Sequence, residues 1–239
     1  MPQRQHHRGK NAKDDRLFAK KWIGPLRRAT AELSYLLSQG YAQDASLKLV
    51  GDHHQLEKRQ RRAVLRAACS DDSLEWRTAH RVPVGELAAQ TVAVDGFNLL
   101  ITVESILSGG VLLRGRDGCI RDMASVHGSY RKVDETLPAI QLIGHVFQDL
   151  QISTVRWFLD APVSNSGRLA TIFREHATGN RWDCDVELSS NVDQTLAESG
   201  DIVISSDGWI LDRAARWAHV TDAIVEATEA NVDITDLQG

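Results

Sequence analysis

The sequence predicts an α/β protein in which a small basic helical module, residues 1–85, precedes a parallel-sheet domain, residues 86–239. Strand-like and helix-like stretches alternate through the second part, the signature of βαβ units around a parallel sheet. Three apolar strand-like runs there each end on an aspartate: Val92-Ala93-Val94-Asp95, Val155-Arg156-Trp157-Phe158-Leu159-Asp160 and Ile202-Val203-Ile204-Ser205-Ser206-Asp207. The charge is also divided, with a net of +8 over residues 1–85 and −12 over residues 86–239. A basic part joined to an acidic one suits a protein that holds a polyanion with one and a cation with the other, although simple attraction between the parts gives the same asymmetry.

In the first module, Phe18, Trp22, Leu26, Ala29, Leu33 and Leu36 or Leu37 recur at helical spacing. Gly24-Pro25 interrupts this run, and two helices meeting at Pro25 are expected because proline is tolerated in a first turn. Gly40 suits the left-handed position after the last turn. Residues 47–50 form a short apolar segment, and His53-His54 follow on what reads as a solvated turn, with no partner ligand at a recognised metal spacing. The next helix, residues 55–68, turns Leu56, Ala63, Val64 and Ala67 inward. Its other side carries Lys58, Arg59, Arg61, Arg62 and Arg66, with Lys58, Arg62 and Arg66 stacked at four-residue spacing. Such like charges repel by a few tenths of a kcal/mol per pair. A phosphate backbone would relieve that repulsion, and a solvated basic face fits equally well. Ser70-Asp71-Asp72 caps a further short helix reaching Trp76 and Arg77, and Pro83 and Gly85 mark a linker.

In the second part, Leu100, Val103 and Leu107 continue at helical spacing after Asp95. Another helix starts near Asp134-Glu135 and buries Leu137, Ile140, Ile143, Phe147 and Leu150. Pro162-Val163-Ser164-Asn165-Ser166-Gly167 is a turn leading into a helix with Leu169, Ile172 and Phe173 inward. Cys184, Val186 and Leu188 alternate as in a strand, and Asn191-Val192-Asp193 opens a short helix. Residues 114–132 stand out, with Arg114, Arg116, Arg121, Arg131 and Lys132 against Asp117 and Asp122 in a domain otherwise acidic. Gly115, Gly118 and Gly128 punctuate this segment, which reads as a flexible basic lid. Ser164-Asn165-Ser166 reads as an ordinary N-cap, with a phosphate-binding helix terminus as the sharper reading.

Composition bounds the function. Hydrophobic content of 42% and charged content of 25% describe an ordinary globular chain. No apolar stretch approaches the roughly 20 residues of a spanning helix, so no membrane partner is expected. The first residues lack the apolar core of a signal peptide, and a cytoplasmic location is expected. Cys69, Cys119 and Cys184 are far apart and make no CxxC pair, which argues against a disulfide framework and a thiolate zinc site. No glycine-rich phosphate loop with its lysine supports ATP-dependent phosphotransfer.

In an open parallel sheet the carboxyl ends of the strands share one edge, where ligands bind. Asp95, Asp160 and Asp207 are therefore expected to converge, and carboxylates a few ångströms apart raise one another's pKa unless a cation sits among them. A hard divalent ion, Mg²⁺ or Mn²⁺, is the simplest resolution. Asp193 is placed to join as a fourth ligand, and Asp122 to be delivered by the lid. Asn98, three residues past Asp95, is placed to orient that carboxylate or a bound water, while Glu104 points elsewhere at its spacing.

Val94-Asp95-Gly96-Phe97-Asn98, Asp193 and Ile204-Ser205-Ser206-Asp207-Gly208 resemble the acidic motifs of the PIN-like superfamily, particularly its NYN branch. Nearly the whole chain resembles a prokaryotic family catalogued as domain of unknown function number four-three-four. That likeness is carried by Leu47-Lys48-Leu49-Val50-Gly51-Asp52, Arg59-Gln60-Arg61, Asp95-Gly96-Phe97-Asn98, Arg116-Asp117-Gly118 and Pro162-Val163-Ser164-Asn165-Ser166-Gly167-Arg168. The resemblance implies a PIN-like (Rossmann-like, parallel-sheet) domain in which Asp95 and Asp207 hold metal and Asn98 orients the first. Asp193 would match the aspartate before the last strand of NYN-type enzymes, and Asp160 and Asp122 are looser matches. The expectation is a metal-dependent (ribo)nuclease using Asp95, Asn98, Asp160, Asp193 and Asp207, with nucleic acid, RNA ahead of DNA, as partner. Arg116, Arg121, Ser164, Asn165, Lys58, Arg62 and Arg66 are the expected nucleic-acid contacts. The alternative is a non-catalytic RNA-binding protein with a degenerate PIN-like domain. A homo-oligomer and an inhibitory protein partner both stay open.

Overall fold

A computed structural model describes residues 7–9, 11–124, 130–228 and 231–238. In chain order the elements are α1 (Asp14–Leu17), α2 (Lys20–Ser38), α3 (Gln43–His53), α4 (Lys58–Ala67), α5 (Asp71–His80), β1 (Thr91–Asp95), α6 (Gly96–Leu107), β2 (Leu112–Arg114), β3 (Ile120–Asp122) and α7 (Thr136–Asp149). They continue with β4 (Thr154–Asp160), α8 (Ser166–Asn180), β5 (Cys184–Ser189), α9 (Val192–Ala197), β6 (Ile202–Ile204), α10 (Gly208–Leu211), β7 (Trp217–Ala218), α11 (Thr221–Ala227) and β8 (Ile234–Asp236). The chain forms two compact units, and both are discontinuous in sequence. One comprises Met1–Arg8, His80–Ser108 and Ala124–Asn231; the other comprises Gly9–Ala79, Gly109–Met123 and Val232–Gly239.

The first unit is built on a five-stranded sheet in the order β5-β4-β1-β6-β7, with every pairing parallel. Val92, Ala93 and Val94 of β1 and Ile202, Val203 and Ile204 of β6 are all buried, as strands covered on both faces require. From β1 the chain moves outward to β4 and β5, then returns to lay β6 and β7 on the other flank of β1. The strand order therefore reverses between β1 and β6, and the crevice at their carboxyl ends is the usual ligand position in such sheets. Gly96 opens α6 against β4. A Cβ there would lie 2.6 Å from Leu159 Cδ2 and 2.9 Å from the Phe158 carbonyl oxygen, so the close approach of helix to strand needs glycine.

The second unit joins α1–α5 to a three-stranded sheet in the order β3-β2-β8. Leu26 and Leu33 of α2 and Val64 of α4 share one core with Leu113, Met123 and Leu237. Leu56, Ala63, Val64 and Ala67 are buried, as the spacing on α4 predicts, and Gly40 takes the left-handed conformation with φ 77°.

Three local expectations are corrected. The break in the first helical run falls at Phe18-Ala19, where Ala19 is extended (φ −57°, ψ 153°), and Pro25 lies inside α2. Placed in the second turn, Pro25 forfeits only the bond to the Lys21 carbonyl, while Leu26, Ala29 and Leu33 beyond it are buried and hold the helix together. Residues 47–50 belong to α3, which runs on to His53. Much of the segment expected to be a lid is a hairpin, because Leu112, Leu113, Cys119 and Ile120 are buried strand or turn residues and Gly118 (φ 79°) turns the chain between β2 and β3. Gly128 of that segment lies outside the described residues.

Candidate active site at the carboxyl edge of the parallel sheet

Asp95 is the last residue of β1 and caps α6, so strand and helix together fix its side chain. The Asn98 backbone N–H donates to Asp95 Oδ1 (3.3 Å), and Ser205 Oγ donates to Oδ2 (2.9 Å). Ser205 follows β6, the strand beside β1, and its Oγ also accepts from the Asp207 N–H (3.0 Å). Asp207 in turn caps α10, its Oδ1 accepting from the Trp209 N–H (2.8 Å) and the Ile210 N–H (3.4 Å). The Asn98 side chain does not face Asp95 through its oxygen. Its Oδ1 accepts from both the N–H and the hydroxyl of Ser206, each at 2.9 Å, and so ties the β6 loop to α6. The sequence reading gives Ser205 and Ser206 no role of their own; the available signal is the pair of hydroxyls immediately before Asp207.

The electrostatics show that the aspartates gather. Burial pushes the Asp95 carboxyl up to about 7; the charges of Asp207 and Asp193 push the same way, against the bonds from Ser205 and Asn98. Asp193, in the first turn of α9, is raised by its burial and then by Asp207 and Asp160. Asp160, at the end of β4, is raised by burial. The charges that act most strongly on Asp95 and Asp193 are thus other aspartates, with no cation among them. Oxygen donors of one sign, held at a sheet edge, fit a hard divalent ion. The fit is open rather than tight: among the described residues, the group whose three ligand atoms all lie within 4.8 Å of one another is elsewhere, at Glu32, His53 and His54. Magnesium suits such a spread set because it keeps several of its waters.

A family model matches residues 84–223, a span that holds all four aspartates and more than half of the chain. The chain belongs to DUF5616, a domain of unknown function. A second model, a protein of unknown function (DUF434), matches residues 25–79, so the four-three-four likeness read across nearly the whole chain is confined to this helical segment. An uncharacterized protein of Methanocaldococcus jannaschii is 29% identical over 204 residues, covering 85% of this chain and 97% of its own length. No solved structure matches the chain.

The remaining expected site residues divide between the units. In the parallel-sheet unit, Ser164 and Asn165 are exposed just before α8, on the connection leaving Asp160. Asn165 is not the ordinary cap the sequence suggests: it is left-handed (φ 72°), and its Nδ2 donates to the Tyr130 carbonyl (2.9 Å). Glu104 points elsewhere, as expected, into a buried cluster where it accepts from Tyr130 Oη (2.5 Å), Thr136 Oγ1 (2.6 Å) and Arg8 Nε (2.6 Å).

Asp122, Arg116, Arg121, Lys58, Arg62 and Arg66 all belong to the helical unit. Asp122 is buried on β3, 3.9 Å from Arg66 Nη2. Arg121 is buried and paired with Asp117 at 2.7 and 2.8 Å, and Arg77 joins the same carboxylate at 2.6 Å. Burial works to raise the Asp117 carboxyl, but Arg121 and Arg77 outweigh it and hold it well below the usual carboxylate range. An arginine enclosed this way serves the fold, with its guanidinium already committed to Asp117 and not free to meet a phosphate. Arg116 is half-buried and pinned by Asp71 Oδ1 (2.6 Å) and the Cys69 carbonyl (2.9 Å). Lys58 is exposed on α4, with Arg62 and Arg66 half-buried behind it. Burial lowers the Arg62 pKa, and the charge of Arg66 lowers it further, the latter being the cost expected of stacked like charges. Among the described residues, no helix is long and apolar enough to cross a membrane.

Proposed function

We propose that this protein is a metal-dependent phosphodiesterase, a nuclease that prefers RNA to DNA, with its site in a PIN-like DUF5616 unit. One observation carries the reading: Asp95, Asp160, Asp193 and Asp207 lie at the carboxyl edge of a parallel sheet, beside its switch point, where burial and then the neighbouring aspartates raise the pKa values of Asp95 and Asp193. These four would hold Mg²⁺ or Mn²⁺. When bound, such an ion supplies the charge that ionises water and stabilises the leaving oxygen of a phosphodiester. The protein's own part is preorganisation. Ser205 and the Asn98 N–H hold both oxygens of Asp95, and the Asn98 side chain fixes the Ser206 backbone next to Asp207. The N-terminus of α8, with Ser164 and Asn165 exposed before it, offers backbone N–H groups to a phosphate at the same edge. In the helical unit, Lys58, Arg62 and Arg66 would grip the backbone of the nucleic acid.

A second reading, a non-catalytic RNA-binding protein with a degenerate PIN-like domain, is favoured by the wider spacing of the aspartates compared with the Glu32 group and by the basic face of α4. Incubating metal-stripped protein with labelled RNA and DNA pools, in Mn²⁺ or EDTA and alongside Asp207→Asn, separates the two. A nuclease cuts RNA faster than DNA in Mn²⁺ and stops in EDTA or in the variant. Equal RNA binding by both proteins without cutting supports the second reading.

A further inference from the structure

We infer that Glu32, His53 and His54 form a binding site for a divalent transition-metal ion in the helical unit. One ligand atom from each lies within 4.8 Å of the other two. Neighbouring side chains on a helix splay by about 100°. Here α3 ends at His53 and His54 is its C-cap (φ −85°, ψ 2°), and the two rings sit edge to face with centroids 4.8 Å apart. Glu32 comes from α2, the helix packed against α3, and its Oε2 lies 2.8 Å from His54 Nε2.

The geometry is that of a receptor, with one enclosed ligand and two reaching outward. The His54 side chain is 10% exposed while Glu32 is 44% exposed, and His53 is exposed. Ala31, Tyr35, Leu36, Leu49 and Val50 line the depression that Glu32 and His53 border. Apolar walls lower the local dielectric and strengthen binding of a cation to a carboxylate and imidazoles. Asp52, the nearest carboxylate on α3, is already taken by Lys48 (2.7 Å) and Arg61 (2.7 Å), so three protein ligands are supplied and a coordination position stays open.

The donor set selects the ion. Two imidazoles and one carboxylate suit zinc, copper, nickel or cobalt and not magnesium or calcium, which take oxygen ligands. With metal–ligand bonds of about 2.0–2.2 Å, the donors of a tetrahedral site sit ~3.4 Å apart. Glu32 and His53 are exposed, so closing from 4.8 Å to that spacing asks for side-chain rotation at the surface and not for repacking of the core. The site does not depend on the nuclease reading, since its donors and its preferred ions differ from those of the aspartates. The simpler reading is that Glu32 and His54 merely clip α2 to α3; the convergence of the His53 ring on the same point is what that reading leaves unexplained.

Calorimetric titration of the metal-stripped full chain with Zn²⁺, in excess Mg²⁺ to occupy oxygen-only sites, tests this. Co²⁺ absorption reports coordination geometry in parallel. His53→Ala removes an exposed ligand, and Glu32→Gln keeps the bond to His54 while losing the charge; melting curves confirm that both fold. One Zn²⁺ per chain is expected, with affinity falling at least ~100-fold in either variant, since loss of groups merely orienting a metal ligand already costs about 10–100-fold. Unchanged affinity in both variants, or no saturable one-to-one binding, overturns the site and leaves the pair as a helix clip.

Discussion

Burial and the charges of Asp207 and Asp193 push the Asp95 carboxyl up to about 7, so the folded protein keeps a proton that the unfolded chain has lost by about pH 4. Stability of the metal-free protein is then fully expressed below the unfolded value and falls as pH rises through about 7, by on the order of 4 kcal/mol. Asp95→Asn removes this dependence and should raise the Tm of metal-free protein at pH 8, measured by thermal melts across pH 4–8. If Mn²⁺ binds the ionised carboxylates, as proposed, its stabilising effect should be larger at pH 8 than at pH 5 in the wild type and small in Asp95→Asn. An equal Mn²⁺ shift in both proteins would place the ion elsewhere. Asp117 has the opposite sign, being held ionised by Arg121 and Arg77. Asp117→Asn leaves two buried guanidinium groups short of their counter-charge and should cost about 3–5 kcal/mol in chemical denaturation. A cost below 1 kcal/mol would show that these arginines find other partners.

Among the elements, α6 is placed by its first residue. Gly96→Ala drives a methyl into Leu159 and the Phe158 carbonyl, and the cost should be about 1–3 kcal/mol with a shift of Asp95 from its position. Retained stability in urea melts would show that β4 yields easily. Elements that bury one regular face, such as α4 and α7, were legible because apolar residues recur at helical spacing along them. Pro25 misled because a proline argues for a boundary, whereas burial of Leu26, Ala29 and Leu33 decided the matter from outside the local sequence. The hairpin of β2 and β3 was hidden for a similar reason. Its strands are three residues each. Arg121 of β3 is paired with Asp117 from the turn, a carboxylate that Arg77 of α5 shares, and Arg116 of the turn is paired with Asp71 of α5. Charge read along the chain looked like a lid, and charge read in space is a set of ion pairs.

At the scale of the whole molecule, the units cross in sequence: residues 109–123 and 232–238 join the helices, while residues 7–8 join the parallel sheet. Composition along the chain located the basic and acidic parts but not the returns between them, because these depend on strand pairings such as Leu112–Ile234 that no local pattern encodes. The aspartates were legible, since each of Asp95, Asp160 and Asp207 terminates an apolar run and a parallel sheet brings such ends together. Their support was not, because the Ser205–Asp95 bond spans 110 residues and exists only once β6 lies beside β1. If α4 grips the backbone, replacing Lys58, Arg62 and Arg66 by glutamine should weaken RNA binding evenly across sequences. It should also flatten the dependence of log K on log salt by about 2, from ~0.7 per phosphate on a single strand. An unchanged slope would make that face a solvated one. The most direct single measurement is Mn²⁺-dependent cleavage of a labelled mixed RNA pool by metal-stripped wild type and by Asp95→Asn prepared identically. Cutting by the wild type that EDTA abolishes, with a folded variant that does not cut, is the predicted result. Equal cutting by the two proteins would contradict a metal-dependent centre at this edge of the sheet.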